Sequence, residues 1–219
     1  MQPKDHVHTL SVEIQGEHLE LHPLCAVWWP GKNTLIVSDV HVGKAGHYAA
    51  NGIPVPLRAF QENCWNLSIL YDRYTPETVV FLGDLYHSKR NREWDVFADF
   101  QANYPEVHAV LVKGNHEFMN DAQYTSQGLE VVTTWDCGPF RLVHEPVDGP
   151  QTKYILCGHI HPAVTLRGAG SEYMRLPCFW FGKYQAVLPA FGSMTGTHRV
   201  RPIKGDQVFV STGKKVVGV

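Results

Sequence analysis

The sequence predicts an α/β fold in which two sheets pack together with helices outside. Three observations predict it: short β-branched runs that each stop at a glycine or a polar residue, two stretches between them with apolar residues at helical spacing, and a second half in which strand-like runs follow one another with few helices. With 219 residues and 44% apolar composition the chain is long enough for one well-buried core. No low-complexity linker, internal repeat or shift of composition divides it, so a single domain over residues 1–219 is expected.

Residues 10–29 alternate polar and apolar side chains on either side of Gly16, which suggests a hairpin. The runs Leu35-Ile-Val, Val79-Val-Phe-Leu and Val110-Leu-Val are continuous and largely β-branched, and are halted by Ser38-Asp39, Gly83-Asp84 and Gly114-Asn115. They predict buried strands. Residues 56–74 place Leu57, Phe60, Cys64, Leu67 and Leu70 at helical spacing, and residues 92–104 do the same with Trp94, Phe97 and Phe100. The runs at 140–144, 154–157, 179–188 and 207–219 predict further strands. The segment 43–56, with Lys44, His47, Tyr48, Gly52 and Pro54, is long and turn-rich, which suits either a substrate gate or an ordinary connection. Trp28-Trp29 and Phe179-Trp-Phe181 have the chemistry to stack on bases, but their strand-like setting favours core packing.

Aromatic content of 11% and charged content of 18% exclude a disordered chain. The five cysteines, Cys25, Cys64, Cys137, Cys157 and Cys178, are scattered without a CxxC pair, as expected of reduced thiols in a cytoplasmic protein. The N-terminus lacks a basic segment followed by an apolar one, and no apolar run is long enough for a bilayer, so neither secretion nor membrane insertion is expected. A net charge of −2 argues against coating nucleic acid through overall positive charge. It leaves room for proteins that meet polyanions through bound cations, whose charge a residue count omits. The thirteen histidines point to metal or proton chemistry.

Asp39-Val-His41 follows the first buried run, where the two-residue period of extended chain can point both side chains one way. Gly83-Asp84 follows the second, Gly114-Asn115-His116-Glu117 the third, and His144 and Gly158-His159-Ile-His161 follow later ones. Taken singly, each is as well explained by a turn former or a hydrogen-bonded structural histidine. Together they place nitrogen and oxygen donors at five strand ends. Without a sulfur among them, the set favours Mn²⁺, Fe²⁺ or Zn²⁺.

The order DxH, GD, GNH, H, GHxH resembles the calcineurin-like metallophosphoesterase superfamily. The resemblance implies a four-layer fold, two packed mixed sheets flanked by helices. It also implies that Asp39, His41 and His161 hold one metal, that Asn115, His144 and His159 hold a second, and that Asp84 bridges them. Such a pair, about 3.5–4 Å apart, activates water for in-line attack on a phosphate, with His116 as the general acid for the leaving alkoxide.

Ser38-Asp-Val-His-Val-Gly-Lys44, Gly83-Asp-Leu-Tyr-His-Ser88 and Leu188-Pro-Ala-Phe-Gly-Ser-Met-Thr-Gly196 resemble one bacterial branch, the ligase-associated metallophosphoesterases, encoded beside a DNA ligase and a helicase in repair clusters. This implies an Mn²⁺-dependent endonuclease acting on single-stranded DNA in repair. The same metal site serves small-molecule and cyclic-nucleotide phosphodiesterases and phosphomonoesterases, which is the alternative. Glu117 stands where Asp is frequent in the family, and Thr197-His198 where a second glycine is expected. His87 matches an extra histidine at the rim of the site in nucleases of the superfamily, which implies a contact to the scissile phosphate or the nucleophile; a solvent-facing histidine is the other reading. Lys44, Lys89, Arg90 and Arg92 are candidate phosphate contacts, although a run such as Ser88-Lys-Arg-Asn-Arg also suits a solvated surface.

Overall fold

The computed structural model describes residues 7–53, 55, 58–87, 89–168 and 172–219, with the side chains of 58–60 outside the description. The expected α/β pairing of two mixed sheets is present. The first sheet begins with three antiparallel strands, β1 (Leu10–Ile14), β2 (Glu17–His22) and β3 (Ala26–Trp29). Gln15 and Gly16 both have positive φ, the two-residue turn that matches the twist of a hairpin. The sheet continues through β4 (Thr34–Val37), β5 (Thr78–Leu82), β6 (His108–Val112) and β7 (Leu129–Val132), in the order β1 to β7, and its last four strands are parallel.

The connections carry α1 (Lys44–Ala50), α2 (Arg58–Tyr74), α3 (Arg92–Ala102) and α4 (Asp121–Thr125). Leu67, Leu70, Trp94, Phe97 and Tyr124 pack on Leu35, Val37, Val79, Phe81 and Leu111, one face of the first sheet. Pro54, Pro56, Leu57 and the Phe60 side chain lie outside the described residues. Asn91 starts α3 by accepting a hydrogen bond from the Glu93 amide, so this helix begins where expected and ends two residues short of Tyr104. Within the segment expected to be a turn-rich connection, residues 44–50 are helical. The Glu93 carboxylate, 50 positions along the chain from Gly43, accepts from the amides of Gly43 and Gly46. A cap supplied from so far away leaves no local signature.

The second sheet contains β8 (Trp135–Cys137), β9 (Phe140–Leu142), β10 (Tyr154–Cys157), β11 (Pro162–Arg167), β12 (Tyr173–Phe181), β13 (Gln185–Val187), β14 (His198–Arg199), β15 (Gln207–Ser211) and β16 (Val216–Gly218). Its main order is β14-β11-β12-β13-β10-β9-β8, with β15 on β12 and β16 on β15. The run expected at 179–188 is two strands with a turn at 182–184, and the run at 207–219 is a hairpin. Trp29, Ile36, Val80 and Val110 of the first sheet meet Phe140, Leu156, Phe179 and Leu188 of the second in the central core. Trp29 is fully buried against Phe140, ring centroids 5.0 Å apart, and its indole N–H donates to Glu17. The Trp28-Trp29 pair and the flanking Phe179 and Phe181 are therefore core residues. Among the described residues no helix joins the cluster on the outer face of the second sheet, where Ile155, Cys157 and Val187 are covered by Val147, Ile160 and Trp180. All five cysteines are free.

One side chain ties the strand ends together. Glu117, nearly fully buried, accepts hydrogen bonds from the amides of Asp84 (2.9 Å), Tyr86 (2.9 Å) and Gly114 (2.7 Å), thereby joining the exits of β5 and β6. Burial pushes its carboxyl up to about 7 against the pull of these three donors. Glu117→Ala leaves three amides without their acceptor, at about 1–3 kcal/mol for each that stays dry. Urea denaturation is expected to show a loss of about 3 kcal/mol or more, with Glu117→Gln intermediate because its amide accepts through one atom only. A loss below about 1 kcal/mol in the alanine variant would show that the clamp is dispensable.

Candidate metal centre

The parallel strands β4, β5 and β6 end at one edge of the first sheet, and the parallel pair β9 and β10 ends at the adjoining edge of the second. Asp39 and His41 follow β4, Asp84 follows β5, Asn115 and His116 follow β6, His144 follows β9, and His159 and His161 follow β10. This is the edge at which open α/β sheets place their sites. The backbone there is unusual. Asp39, His41, Asp84, His159 and His161 all have φ between 47° and 68°, the left-handed region that side chains other than glycine seldom occupy. Such conformations cost free energy, and they cluster where function demands a particular side-chain direction.

Close approach imposes the neighbouring glycines. A Cβ on Gly83 would lie 2.0 Å from His144 Nδ1, and one on Gly158 would lie 1.7 Å from Ser38 Oγ. Both glycines admit a ligand side chain or its support into space that any other residue would fill.

Two donor groups result. In the first, Asp39, His41 and His161 converge, with His161 Nε2 3.2 Å from Asp39 Oδ1 and 3.5 Å from His41 Nε2. In the second, His144 Nε2 lies 3.1 Å from His159 Nδ1, 3.2 Å from Asn115 Oδ1 and 3.4 Å from Asp84 Oδ1. The far nitrogens of two histidines are held by carbonyls, His144 Nδ1 by Leu82 O at 3.1 Å and His161 Nδ1 by Gly196 O at 3.2 Å, so that each Nε2 faces the cluster.

These residues fit a pair of cations. Asp39 Oδ1 is buried and, among the described residues, accepts no hydrogen bond, although His161 Nε2 lies 3.2 Å from it. The other oxygen, Oδ2, is occupied by Ser38 Oγ and the His159 amide. An unpartnered buried carboxylate oxygen beside two imidazole nitrogens is a donor set for a metal ion.

The titrating groups of the two donor sets are shifted in opposite directions. Burial disfavours a charge on Asp84, yet its hydrogen bond to His144 and the charge there bring the carboxyl down to about 2. Burial likewise works against a charged His144, but Asp84 raises it to about 9. His41 goes the other way, lowered to about 2 by burial and then by Lys44. Lys44 itself is half-buried and lowered by burial, with Asp39 and Asp84 opposing.

His116 sits at the rim, its Nε2 3.9 Å from Asp84 Oδ2 and its Nδ1 3.3 Å from the His87 carbonyl. His87 stacks on it at 4.8 Å, with its own Nδ1 3.3 Å from His41 Nδ1, and burial followed by Lys44 lowers it to about 4. His41, His87 and His116 make a third group of converging nitrogens. The structure thus brings together nine of the residues singled out in the sequence, and Lys44 beside them. Lys89, Arg90 and Arg92 are exposed. Lys89 shares a surface cavity with His47, His87 and Phe118, while Arg90 is paired with Asp95, Nε to Oδ1 3.2 Å. Ser88 lies outside the described residues. Ser38 and Glu117, which hold ligands or their backbone, were visible only as motif neighbours. Asn63, which donates to Val40 O and accepts from the Ser193 amide, had no signal at all.

The family model for calcineurin-like phosphoesterases matches residues 32–182, which include all seven donor residues and His116. Among solved structures, the crystal structure of the nuclease MPE of Pseudomonas putida is similar over nearly the whole chain. Its TM-score is 0.82 at 30% identity, covering 97% of this chain and 100% of that one. The phosphoesterase Yfce of E. coli (TM-score 0.43, 15% identity, covering 85% and 97%) and a protein of unknown function from Aquifex aeolicus (0.42, 16%, 63% and 82%) are more distant. Comparison with curated proteins gave no match. The converging donors at the strand ends and the family match over most of the chain have one meaning: this protein belongs to the calcineurin-like phosphoesterase family and is a metal-dependent hydrolase of phosphate esters.

Proposed function

We propose that this hydrolase, a single domain over its 219 residues, is an Mn²⁺-dependent phosphodiesterase that cuts single-stranded DNA internally. In that role it would serve DNA repair in the cytoplasm, in functional association with a DNA ligase and a helicase. The carrying observation is the union of two donor groups around Asp84 with full-length similarity to a protein described as a nuclease. The DNA ligase and helicase association, the repair role and the choice of Mn²⁺ are supported by the motifs shared with the ligase-associated branch. Among the described residues no helix is long and apolar enough to cross a membrane.

Asp39, His41 and His161 would hold one cation, and Asn115, His144 and His159 the other, with Asp84 between. Two bound divalent cations supply a nucleophile at neutral pH and neutralise charge on the phosphoryl oxygens. The chain supplies the rest. His116 Nδ1 donates to the His87 carbonyl, which directs Nε2 to the rim, where the second proton of the imidazolium form can pass to the oxygen of the leaving group and leave the neutral ring. Lys44 offers a half-buried positive charge to a phosphate, and His87, neutral at ordinary pH, offers a ring nitrogen beside it.

The first test is substrate topology: the protein with Mn²⁺ is expected to linearise a closed single-stranded DNA circle, and chelation should abolish this. Hydrolysis of small diesters with the circle left intact would point to the small-molecule alternative. Asp84→Ala or His161→Ala should reduce either activity by several orders of magnitude, and unchanged turnover would overturn the metal mechanism. A second test concerns the acid. His116→Ala is expected to slow cleavage of a DNA diester about 10²–10⁴-fold while sparing an ester whose leaving group needs no proton. Equal losses on both substrates would remove His116 from that role.

A further inference from the structure

From residue 173 to residue 205 the chain has no Asp or Glu, while Arg175, Lys183, Arg199, Arg201 and Lys204 fall within it. In a protein of net charge −2 this stretch is a local concentration of positive charge, and strand register places part of it next to the metal centre. Strand β12 runs antiparallel to β13, with Trp180 opposite Val187. β10 and β13 end together at Cys157 and Val187, on the metal edge. The residues of β12 before Trp180 therefore project past that edge, the first five of them making up its outer stretch of roughly 15 Å at the usual rise of an extended chain. They pair there with β11, which starts directly after His161, and β14 lies on the other side of β11.

Side chains alternate across this projecting hairpin. Leu166, Leu176 and Cys178 belong to an apolar cluster on the outer face. Phe179 faces the opposite way, into the core between the sheets, so Pro177, Arg175 and Tyr173 lie on the side toward the first sheet. Register adds their partners to that side. Arg199 is beside Ala163, Arg175 beside Thr165, and Arg167 beside Tyr173. Three arginines on three neighbouring strands thus stand at three successive same-face levels along β11, each level about 6.6 Å further from His161 along the strand. All three are exposed, and among the described residues none is paired with a carboxylate. Tyr173 is 67% exposed, with the Arg167 guanidinium 5.9 Å from its ring centre. At the base of the row, a cavity of about 340 Å³ is lined by His161, Pro177 and Thr197.

We propose that the face of β14, β11 and β12 bearing Arg199, Arg175 and Arg167 is a track for the phosphates of a single-stranded polynucleotide leading away from the metal centre, with Tyr173 as a platform for one base. The track rests on the reading of the protein as a nuclease and adds where the strand lies. A set of guanidinium groups spread over three strands suits a flexible single chain, and stacking on an aromatic ring is indifferent to base identity.

The experiment compares the wild type with the triple variant Arg167→Gln, Arg175→Gln, Arg199→Gln. Binding of a fluorescent 30-nucleotide single strand to chelator-treated protein is followed by anisotropy across a salt series, and the metal-loaded enzyme is assayed on a small chromogenic phosphodiester. Each phosphate contact contributes about 0.7 to the slope of log affinity against log salt. The variant is expected to bind more weakly with a slope shallower by about 2, and to turn over the small diester within about twofold of wild type. Tyr173→Ala should weaken binding about tenfold without changing the slope. An unchanged slope in a variant that keeps its small-diester activity overturns the track and leaves the nuclease reading standing. A wild type that hydrolyses the small diester but neither binds nor cuts the strand overturns that reading, and the track with it. Loss of small-diester turnover in the triple variant would place these arginines in the centre itself and also overturn the track; Arg175→Gln alone, expected to remove about a third of the slope change, checks against misfolding.

Discussion

Glu117 gathers the amides of Asp84, Tyr86 and Gly114 onto one buried carboxylate, so that two neighbouring strands leave the first sheet at fixed positions. Without such an acceptor these amides would have no strand partner, because the chain turns away from the sheet there. The turn is what makes a metal centre. A residue still in the β conformation directs its side chain above or below the sheet. The left-handed conformation of Asp39, His41, Asp84, His159 and His161 directs it off the end, across the gap between two sheets. The free energy stored in five such residues must be offset by bonds formed elsewhere. The Asp39 amide to Gly83 O, the His41 amide to Asp84 O and the Phe191 amide to Ser38 O are among those that do so.

Much of this was legible in the sequence because of the way parallel strands announce themselves. A strand covered on both faces is apolar throughout, so the first polar residue after Leu35-Ile-Val or Val79-Val-Phe-Leu marks the strand end to within a residue or two. Ligands placed at strand ends are therefore found together with the strands. The outline of β4, β5, β6, β9 and β10 and the donors after each follow from that pattern. The meaning of Glu117 did not. As the fourth residue of GNHE it reads as a substitution for Asp, and only the fold reveals three amides from two strands around it.

Other features were hidden for a common reason: their cause lies far away in the chain. α1 is held at its start by Glu93 and Asn91, on the next crossover, and its own sequence, with two glycines around Lys44-Ala45, argues for a turn. Residues 179–188 read as one apolar run, because the turn at 182–184 contains only one glycine and keeps the bordering strands in the core. The short β14 owes its existence to the edge of β11, with which it pairs through only two residues. No periodicity can appear over two residues.

Charge illustrates the same separation of local from global. Net charge alone argued against a general affinity for polyanions, and that argument holds for the surface as a whole. It says nothing of distribution. The acidic residues of the centre, Asp39 and Asp84, are buried among the converging histidines, and Arg90 and Arg141 are paired with Asp95 and Asp136. Arg167, Arg175 and Arg199 differ in having no carboxylate partner among the described residues while standing on one face of a hairpin rooted at His161. Exposed together, the three make that face locally positive. Since screened interactions fade over about 8–10 Å at physiological salt, that contiguity matters more than the sign of the total: a strand held along the proposed track would have its phosphates led to the ends of β4 and β5, where the fold gathers the candidate metal donors.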